Sequence, residues 1–314
     1  MKRYTTKELV EQVSKGDKRA FARAITVIEN KDDGWLELLN SCYRNMNSHA
    51  LVIGITGPGG AGKSTLIDKI IKLFRLQGKK VGVIAVDPSS PFTGGAFLGD
   101  RVRMGTHNLD EDVYIRSLAS RGSMGGISQG TRNVLYLYKN FDFDIIIVES
   151  LGIGQDETEI TNFVDVTVVT LVPGFGDTMQ MAKAGMQEIA DIFIINKADN
   201  PDAEGYMQQL MGSLIMIPEE KKPVVLKTVA KDNIGIESVI EQITIIGEKR
   251  VKDRDKKNIE RIKTEIETEV LSSMQIRIKD IVERMSRKVL SEDITPFEIS
   301  NEIINNIDIK MWFN

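Results

Sequence analysis

The sequence has little cysteine or histidine: its 314 residues include one cysteine, Cys42, and two histidines. A single thiol excludes an intrachain disulfide, which fits a reducing compartment. Long hydrophobic runs are also missing, because no stretch of about 18 apolar residues occurs. Residues 1–12 likewise lack the apolar core of a secretory signal. We therefore expect a cytoplasmic protein that is not inserted in a membrane.

An excess of basic residues is absent as well. The formal net charge is −4 and the isoelectric point is about 5.5, so no overall positive field favours binding to nucleic acid. The sequence does have the composition of a globular protein, with 41% hydrophobic and 27% charged residues. A chain of this length and composition can bury a full hydrophobic core.

The most informative stretch is GPGGAGKS at residues 57–64, which matches the P-loop pattern of glycine, four residues and Gly-Lys-Ser. A strand-like apolar run precedes it at 51–56, and apolar residues at helical spacing follow it at 65–76. In such a loop the backbone N–H groups bind phosphates, the lysine reaches the β- and γ-phosphates, and the serine hydroxyl binds Mg²⁺. We therefore predict a nucleoside triphosphate site formed by Gly57, Gly59, Gly60, Ala61, Gly62, Lys63, Ser64 and Thr65.

Three regions of the chain differ in pattern. Residues 1–48 have the apolar spacing of short amphipathic helices. Between residues 49 and 248, Val/Ile/Leu runs alternate with helical stretches, which is typical of strands buried on both faces of a parallel sheet. We predict a doubly wound, mostly parallel α/β P-loop domain over 49–248, with helical extensions over 1–48 and 249–314. Its strands are predicted at 51–56, 81–86, 113–118, 143–148, 166–172, 192–195 and 224–228.

The C-terminal arm, residues 249–314, predicts a long helix whose apolar stripe runs from Ile259 to Met285. This stripe is equally compatible with packing on the chain's own α/β domain and with packing against a second copy of the chain. An antiparallel pair of arms would form a self-complementary interface. The arm is therefore a candidate for homodimerisation.

A second motif predicts which base is bound. Asn196-Lys197-Ala198-Asp199 follows an apolar run and matches the Asn-Lys-x-Asp motif that reads guanine. The aspartate accepts two hydrogen bonds from the guanine ring N–H and exocyclic amine, whereas adenine offers no such donor pair. Downstream of a P-loop, the motif favours GTP and makes the predicted fold a P-loop GTPase domain. Ala230 is the best match to the short base-contacting motif that usually follows the last strand.

Acidic residues at strand ends predict a Mg²⁺ site. Glu149-Ser150-Leu151-Gly152 occupies the place of Asp-x-x-Gly, in which the carboxylate holds Mg²⁺ or its water and the glycine amide contacts the γ-phosphate. Asp87 ends another predicted strand, and Asp100 lies in the loop that follows. The predicted metal ligands are Ser64, Asp87, Asp100 and Glu149. The predicted catalytic residues are Lys63, Glu149 and Gly152.

The residue after Gly152 is Ile153, where well-known small GTPases carry a glutamine that orients the attacking water. Gln155 can replace that glutamine only if the loop is remodelled. The sequence does not choose among four arginines that could neutralise phosphate charge, namely Arg101, Arg103, Arg116 and Arg121. We therefore expect slow intrinsic hydrolysis that accelerates when a partner orders the loops.

Nearly the whole chain resembles the methylmalonyl-CoA mutase-associated GTPases, the MeaB/ArgK group of P-loop GTPases. The segments that carry this resemblance are GITGPGGAGKSTL, VIAVDPSSPFTGGAFLGDRVRM, VESLGIGQDE and PGFGDTMQMAKAGMQEIADIFIINKAD. The resemblance implies a homodimeric G-protein chaperone of an adenosylcobalamin-dependent acyl-CoA mutase. Such a chaperone gates cofactor loading and protects the mutase, with GTP binding and hydrolysis as its timer.

The resemblance also implies a mobile loop at residues 174–183 that couples the nucleotide state to the mutase, with Gly176, Asp177 and Lys183 as its coupling residues. The chain departs from the family at Asp156, where serine is commoner, and at three positions in this loop: Phe175, Met179 and Met181. These differences leave the client open among methylmalonyl-, isobutyryl- and ethylmalonyl-CoA mutases.

Three other functions are alternatives to this one. A nickel-delivery GTPase needs metal ligands, but Cys42, His49 and His107 are not clustered in the sequence. An amino-acid transport kinase needs an acceptor pocket and a base, and has no need of a guanine-reading motif. A scaffold with a purely structural nucleotide is disfavoured by the intact Lys63, Ser64 and strand-end acids.

Overall fold

The computed structural model describes residues 4–44, 49–87, 107, 109–119, 128–150, 160–174, 186–252, 254–291 and 294–306. The chain divides into two compact units, Met1–Asp255 and Lys256–Asn314. The first unit contains the α/β fold. The second contains most of a long helix and the short helix that follows it.

Within the described residues, seven strands form one sheet in the spatial order β3-β2-β4-β1-β5-β6-β7, and every neighbouring pair is parallel. The strands are β1 (Leu51–Thr56), β2 (Val81–Asp87), β3 (Val113–Ala119), β4 (Ile145–Glu149), β5 (Val166–Leu171), β6 (Ile192–Ile195) and β7 (Val224–Lys227). Strand β1 lies in the middle, and later strands are added on both sides of it. Loops that leave the carboxyl ends of such strands form the ligand crevice. The predicted doubly wound parallel fold is therefore confirmed.

One strand begins later than predicted. The run at 143–148 was expected to be extended throughout, but β4 starts at Ile145 because the Phe143 N–H donates to the carbonyl oxygen of Phe141 in a tight turn at 2.8 Å. Asp144 then accepts a hydrogen bond from the backbone N–H of Lys80 at 2.8 Å. The apolar pattern alone cannot separate a turn residue from a strand residue.

Helices cover both faces of the sheet. The helices of the first unit are α1 (Thr6–Ser14), α2 (Lys18–Asn30), α3 (Trp35–Arg44), α4 (Lys63–Leu76), α5 (Gln129–Asn140), α6 (Met186–Ile189), α7 (Ala203–Ser213) and α8 (Ile236–Lys252). Side chains alternate between the two faces along a strand, so Ile53 and Ile55 pack with α4 and α8, whereas Val52 packs with α1, α2, α3 and α5. Helices α6 and α7 cover the remainder of the second face, over β5 and β6.

The three N-terminal helices belong to the same hydrophobic core as the sheet. Phe21 of α2 is fully buried, and its ring lies 4.8 Å from Tyr114 of β3 and 5.0 Å from Tyr138 of α5, measured between centroids. Aromatic pairs at these distances and steep interplanar angles are favourable beyond the area they bury. Residues 6–44 are thus a structural layer of the first unit.

The C-terminal helices are α9 (Arg254–Ser291) and α10 (Pro296–Asn306). At 38 residues, α9 is about 57 Å long. Helix α10 begins with a capping box: the Glu298 N–H donates to Thr295 Oγ1 at 3.3 Å, and the Thr295 N–H donates to Glu298 Oε2 at 2.8 Å. The long helix predicted from the sequence is present.

Candidate functional site

The P-loop connects β1 to α4 at the carboxyl edge of the sheet. Gly57, Gly60 and Gly62 have φ values of 132°, 77° and 88°, in a region that favours glycine. A Cβ at Gly57 would lie 2.0 Å from the carbonyl oxygen of Thr170 on β5. The loop can therefore leave β1 this close to β5 only with glycine at position 57.

Helix α4 begins without a side-chain cap, since its N-cap residue is Gly62. Helices α1, α2 and α5 instead begin with side chains that accept hydrogen bonds from their first turns. The first N–H groups of any helix have no intrahelical acceptor, and they attract anions. The uncapped turn that contains Lys63, Ser64 and Thr65 therefore suits a phosphate.

Lys63 is buried, and its ammonium group folds back over the loop. Its Nζ donates to the carbonyl oxygens of Gly57 at 2.7 Å and Pro58 at 3.3 Å. These contacts hold the positive charge at the P-loop and away from bulk water. This is the position in which a lysine can meet the β- and γ-phosphates of a nucleotide.

Two carboxylates lie beside the P-loop. Glu149 ends β4 and Asp87 ends β2, and both side chains are at most 5% exposed. The strands are neighbours in parallel register, with Ala85 opposite Glu149, so both acids lie at the same edge of the sheet. The Ser64 hydroxyl donates to Glu149 Oε1 at 3.1 Å. One hydroxyl and two carboxylates are the oxygen ligands that Mg²⁺ prefers, and a cation would offset the cost of burying the acids.

A buried hydrogen bond joins the end of β4 to the end of β1, where the P-loop begins. Ser150 Oγ, directly after Glu149, donates to Thr56 Oγ1, directly before Gly57, at 2.6 Å. Both side chains are at most 1% exposed. This pair was not predicted from the sequence, although both residues adjoin predicted motifs.

Asn196 links the base-reading segment to the P-loop. Its Nδ2 donates to the carbonyl oxygen of Ala61 at 2.9 Å, and its Oδ1 accepts from Thr228 Oγ1 at 3.0 Å and from the Ala230 N–H at 3.1 Å. Because Asn196 is 3% exposed, these bonds are shielded from water. Ala230, predicted to contact the base, supports the site here by holding Asn196.

The other two polar residues of the motif, Lys197 and Asp199, lie at the edge of the site. Lys197 has a φ of 55° and donates from Nζ to the carbonyl oxygen of Gly60 at 3.0 Å. Asp199 Oδ2 accepts a hydrogen bond from Lys231 Nζ at 2.9 Å. This hydrogen bond lowers the pKa of Asp199 below its ordinary value, which keeps the carboxylate ionised and able to accept the guanine N–H groups. Lys231 was not predicted, although it directly follows Ala230.

Several predicted residues fall outside the described part of the chain. They are Asp100, Arg101, Arg103, Arg121, Gly152, Ile153, Gln155, Gly176, Asp177 and Lys183. Arg116 is described, and its Nη2 lies 3.5 Å from Glu29 Oε2 of α2. The structure therefore assigns Arg116 to the contact between β3 and α2.

Soft metal ligands are separated in the fold. Cys42 is buried in α3, and burial raises the pKa of its thiol to about 12. His107 lies beside α4, with Nε2 3.0 Å from Asp68 Oδ1. In the described ranges, no group of three or more His, Cys, Asp and Glu side chains could hold a metal ion. Among those same residues, no helix is both long enough and apolar enough to cross a bilayer.

A parallel sheet with a P-loop after β1, acids at the ends of β2 and β4, and Asn-Lys-x-Asp after β6 defines the class of P-loop GTPases. Within that class, the family model described as methylmalonyl-CoA mutase-associated GTPase MeaB matches residues 21–284. The chain belongs to this family.

Individual relatives agree with this assignment. A predicted GTPase of Pyrococcus abyssi is 42% identical over 312 residues, covering 96% of each chain. The fused isobutyryl-CoA mutase of Cupriavidus metallidurans is 41% identical over 200 residues, which are 62% of this chain and 18% of that protein. A solved structure described as a LAO/AO transport system kinase has the same fold, with a TM-score of 0.68, 23% identity and coverage of 97% and 98% of the two chains.

Proposed function

We propose that this chain binds GTP with Mg²⁺ at the edge of the sheet and hydrolyses it to GDP and phosphate. The observation that carries the proposal is the buried amide of Asn196, which ties the P-loop to the segment that holds Asp199. A nucleotide bound between these segments has its phosphates at the loop and its base at Asp199. Membership of a GTPase family supports the same activity.

Each residue has a role in this proposal. Lys63 and the first N–H groups of α4 bind the phosphates, and Gly152 contacts the γ-phosphate. Ser64, Asp87, Asp100 and Glu149 would hold Mg²⁺, which when bound neutralises the negative charge that develops during phosphoryl transfer. Lys197 braces the loop through Gly60, and Asp199 selects guanine.

We also propose that an adenosylcobalamin-dependent acyl-CoA mutase is the partner, and that the protein acts as its chaperone. The family description names a mutase, and one relative is a fused isobutyryl-CoA mutase. On this proposal Gly176, Asp177 and Lys183 couple the nucleotide state to the mutase, and the working form is a homodimer. With Ile153 in the glutamine position, hydrolysis is slow until the mutase orders the loops.

The test measures phosphate release from GTP and from ATP, with Mg²⁺, by the full chain alone and with a mutase from the same organism. We expect turnover of GTP only, faster with the mutase, and lost in Lys63→Ala but not in Lys69→Ala on the same helix. No GTP turnover under either condition contradicts the proposed activity. Transfer of the phosphoryl group to an added amino acid would instead support a kinase.

A further inference from the structure

A groove of about 590 Å³ lies on the first unit between the last turns of α4 and the length of α8. Its floor and walls include Leu73 and Leu76 of α4, which are one helical turn apart, and Ile245 of α8. Leu76 is 75% exposed and Ile245 is 55% exposed. Single exposed apolar residues are ordinary, but these face one another across a shared depression.

Three glutamates line the same groove from α8: Glu237, Glu241 and Glu248. Their spacings of four and seven residues place them within roughly 40° of arc, in a stripe about 16 Å long. Like charges four residues apart destabilise a helix. Among the described residues, no side chain forms an ion pair or a hydrogen bond with any of the three. In the part of the chain that the structure describes, this acidic stripe therefore has no ion-pair partner and lies beside exposed apolar side chains.

We propose that this groove binds a lysine- and arginine-rich amphipathic α-helix of a partner protein. An amphipathic helix places apolar residues three and four positions apart into such a groove, where they would contact Leu76 and Ile245. Its flanking basic side chains would then meet Glu237, Glu241 and Glu248. Complementary charge is what distinguishes this occupant from an acidic or neutral helix.

A second copy of the chain fits this face less well. A two-fold contact whose axis passes through the groove would bring the acidic stripe of one protomer against the same stripe of the other, so that like charges meet. The groove also lies at the far end of α4, about 20 Å along the helix from Lys63. Binding there leaves the nucleotide site open, and the proposal does not depend on GTP hydrolysis.

The test uses the full chain and a fluorescent synthetic peptide. The probe is a helical peptide with leucines at positions i, i+3 and i+7 and lysine or arginine on both flanks. A scrambled peptide of the same composition controls for its charge. Fluorescence anisotropy gives the dissociation constant at low and at moderate salt.

Two triple variants distinguish an effect of the groove on peptide binding from an effect of the overall net charge. E237Q/E241Q/E248Q removes the stripe, whereas E37Q/E111Q/E220Q removes three exposed glutamates elsewhere and changes the net charge equally. We expect the groove variant to weaken peptide binding about tenfold and the control variant to leave it within about twofold. L76S/I245S, with its secondary structure checked by circular dichroism, should weaken binding as well.

Three results of the binding experiments would overturn the proposal. They are no binding by the unmodified chain, equal losses in the two triple variants, and equal affinity for the scrambled peptide. Sedimentation velocity of the groove variant tests whether a second copy of the chain occupies the groove. If the unmodified chain is a dimer and E237Q/E241Q/E248Q is a monomer, the groove is a contact between copies and the proposal is wrong.

Discussion

The hydroxyl of Ser64 donates a hydrogen bond to Glu149 Oε1 at 3.1 Å, although the two residues are 85 positions apart in the sequence. The first residue belongs to the P-loop helix α4 and the second ends β4, next to β1 in the sheet. The hydrogen bond shows that two motifs found separately in the sequence meet at one place. Asp87, on the next strand, adds a second buried acid at the same edge.

Glu149→Gln tests the acid's proposed role in holding Mg²⁺. Glutamine keeps the size and can still accept the hydrogen bond from Ser64, but it removes the charge. We expect the Mg²⁺ concentration for half-maximal GTP hydrolysis to rise about tenfold or more. Titrating Mg²⁺ against phosphate release measures this, with Glu111→Gln as an exposed control. An unchanged Mg²⁺ requirement would remove Glu149 from the metal site.

Ser150→Ala tests the buried bond between Ser150 and Thr56. Loss of a buried hydrogen bond with little change in shape should lower the free energy of unfolding by about 1 kcal/mol. Urea denaturation measures this, and Ser238→Ala, an exposed serine of α8, provides the control. Equal stability of Ser150→Ala and the unmodified chain would show that the bond contributes nothing.

The buried thiol of Cys42 leads us to predict how the stability of the fold depends on pH. Burial raises the pKa of its thiol from 9.0 to about 12, so the unfolded chain loses this proton at a lower pH than the folded chain. The thiol's contribution to stability is complete below pH 9.0 and declines as the pH rises towards 12. The decline should be about 1.4 kcal/mol per pH unit. Unfolding free energies measured over this range should therefore fall more steeply for the unmodified chain than for Cys42→Ala. If the unfolding free energies of the two proteins depend equally on pH, the raised pKa of Cys42 is contradicted.

The long helix α9 makes a prediction about assembly. Ile266 and Val270 lie four residues apart on the apolar stripe of α9 and are 58% and 39% exposed. If the stripe of α9 forms the homodimer interface, I266K/V270K should sediment as a monomer while the unmodified chain sediments as a dimer. Exposed lysines in place of apolar residues leave α9 helical, which circular dichroism checks. A dimer that survives both substitutions would assign the interface to another surface.

Much of the fold could be predicted because parallel strands buried on both faces read as continuous apolar runs. The P-loop and Asn-Lys-x-Asp could be predicted because their residue types are restricted by phosphate and guanine chemistry. The bond from Ser150 to Thr56 could not, since it joins residues 94 positions apart and depends on how β4 and β1 align. The ion pair of Lys231 with Asp199 spans 32 positions and depends on the turn after β7.

The N-terminal helices illustrate the same limit. Their amphipathic pattern predicts that they are helices, but it does not predict what covers their apolar side. Phe21 packs on Tyr114, Tyr138 and Phe143, which lie between 93 and 122 positions away in the sequence. Only the sheet order brings these rings together.

On the proposed function, the chain is a guanine-specific GTPase in which Asp199 reads the base. Asp199→Asn replaces a carboxylate that accepts two hydrogen bonds with an amide. The amide pairs with xanthine better than with guanine. Competition of GTP and xanthosine triphosphate for a fluorescent nucleotide measures the preference, with Asp202→Asn as the exposed control. We predict that Asp199→Asn shifts the preference from guanine to xanthine and that Asp202→Asn keeps it on guanine. Unchanged guanine selectivity in Asp199→Asn would contradict the claim.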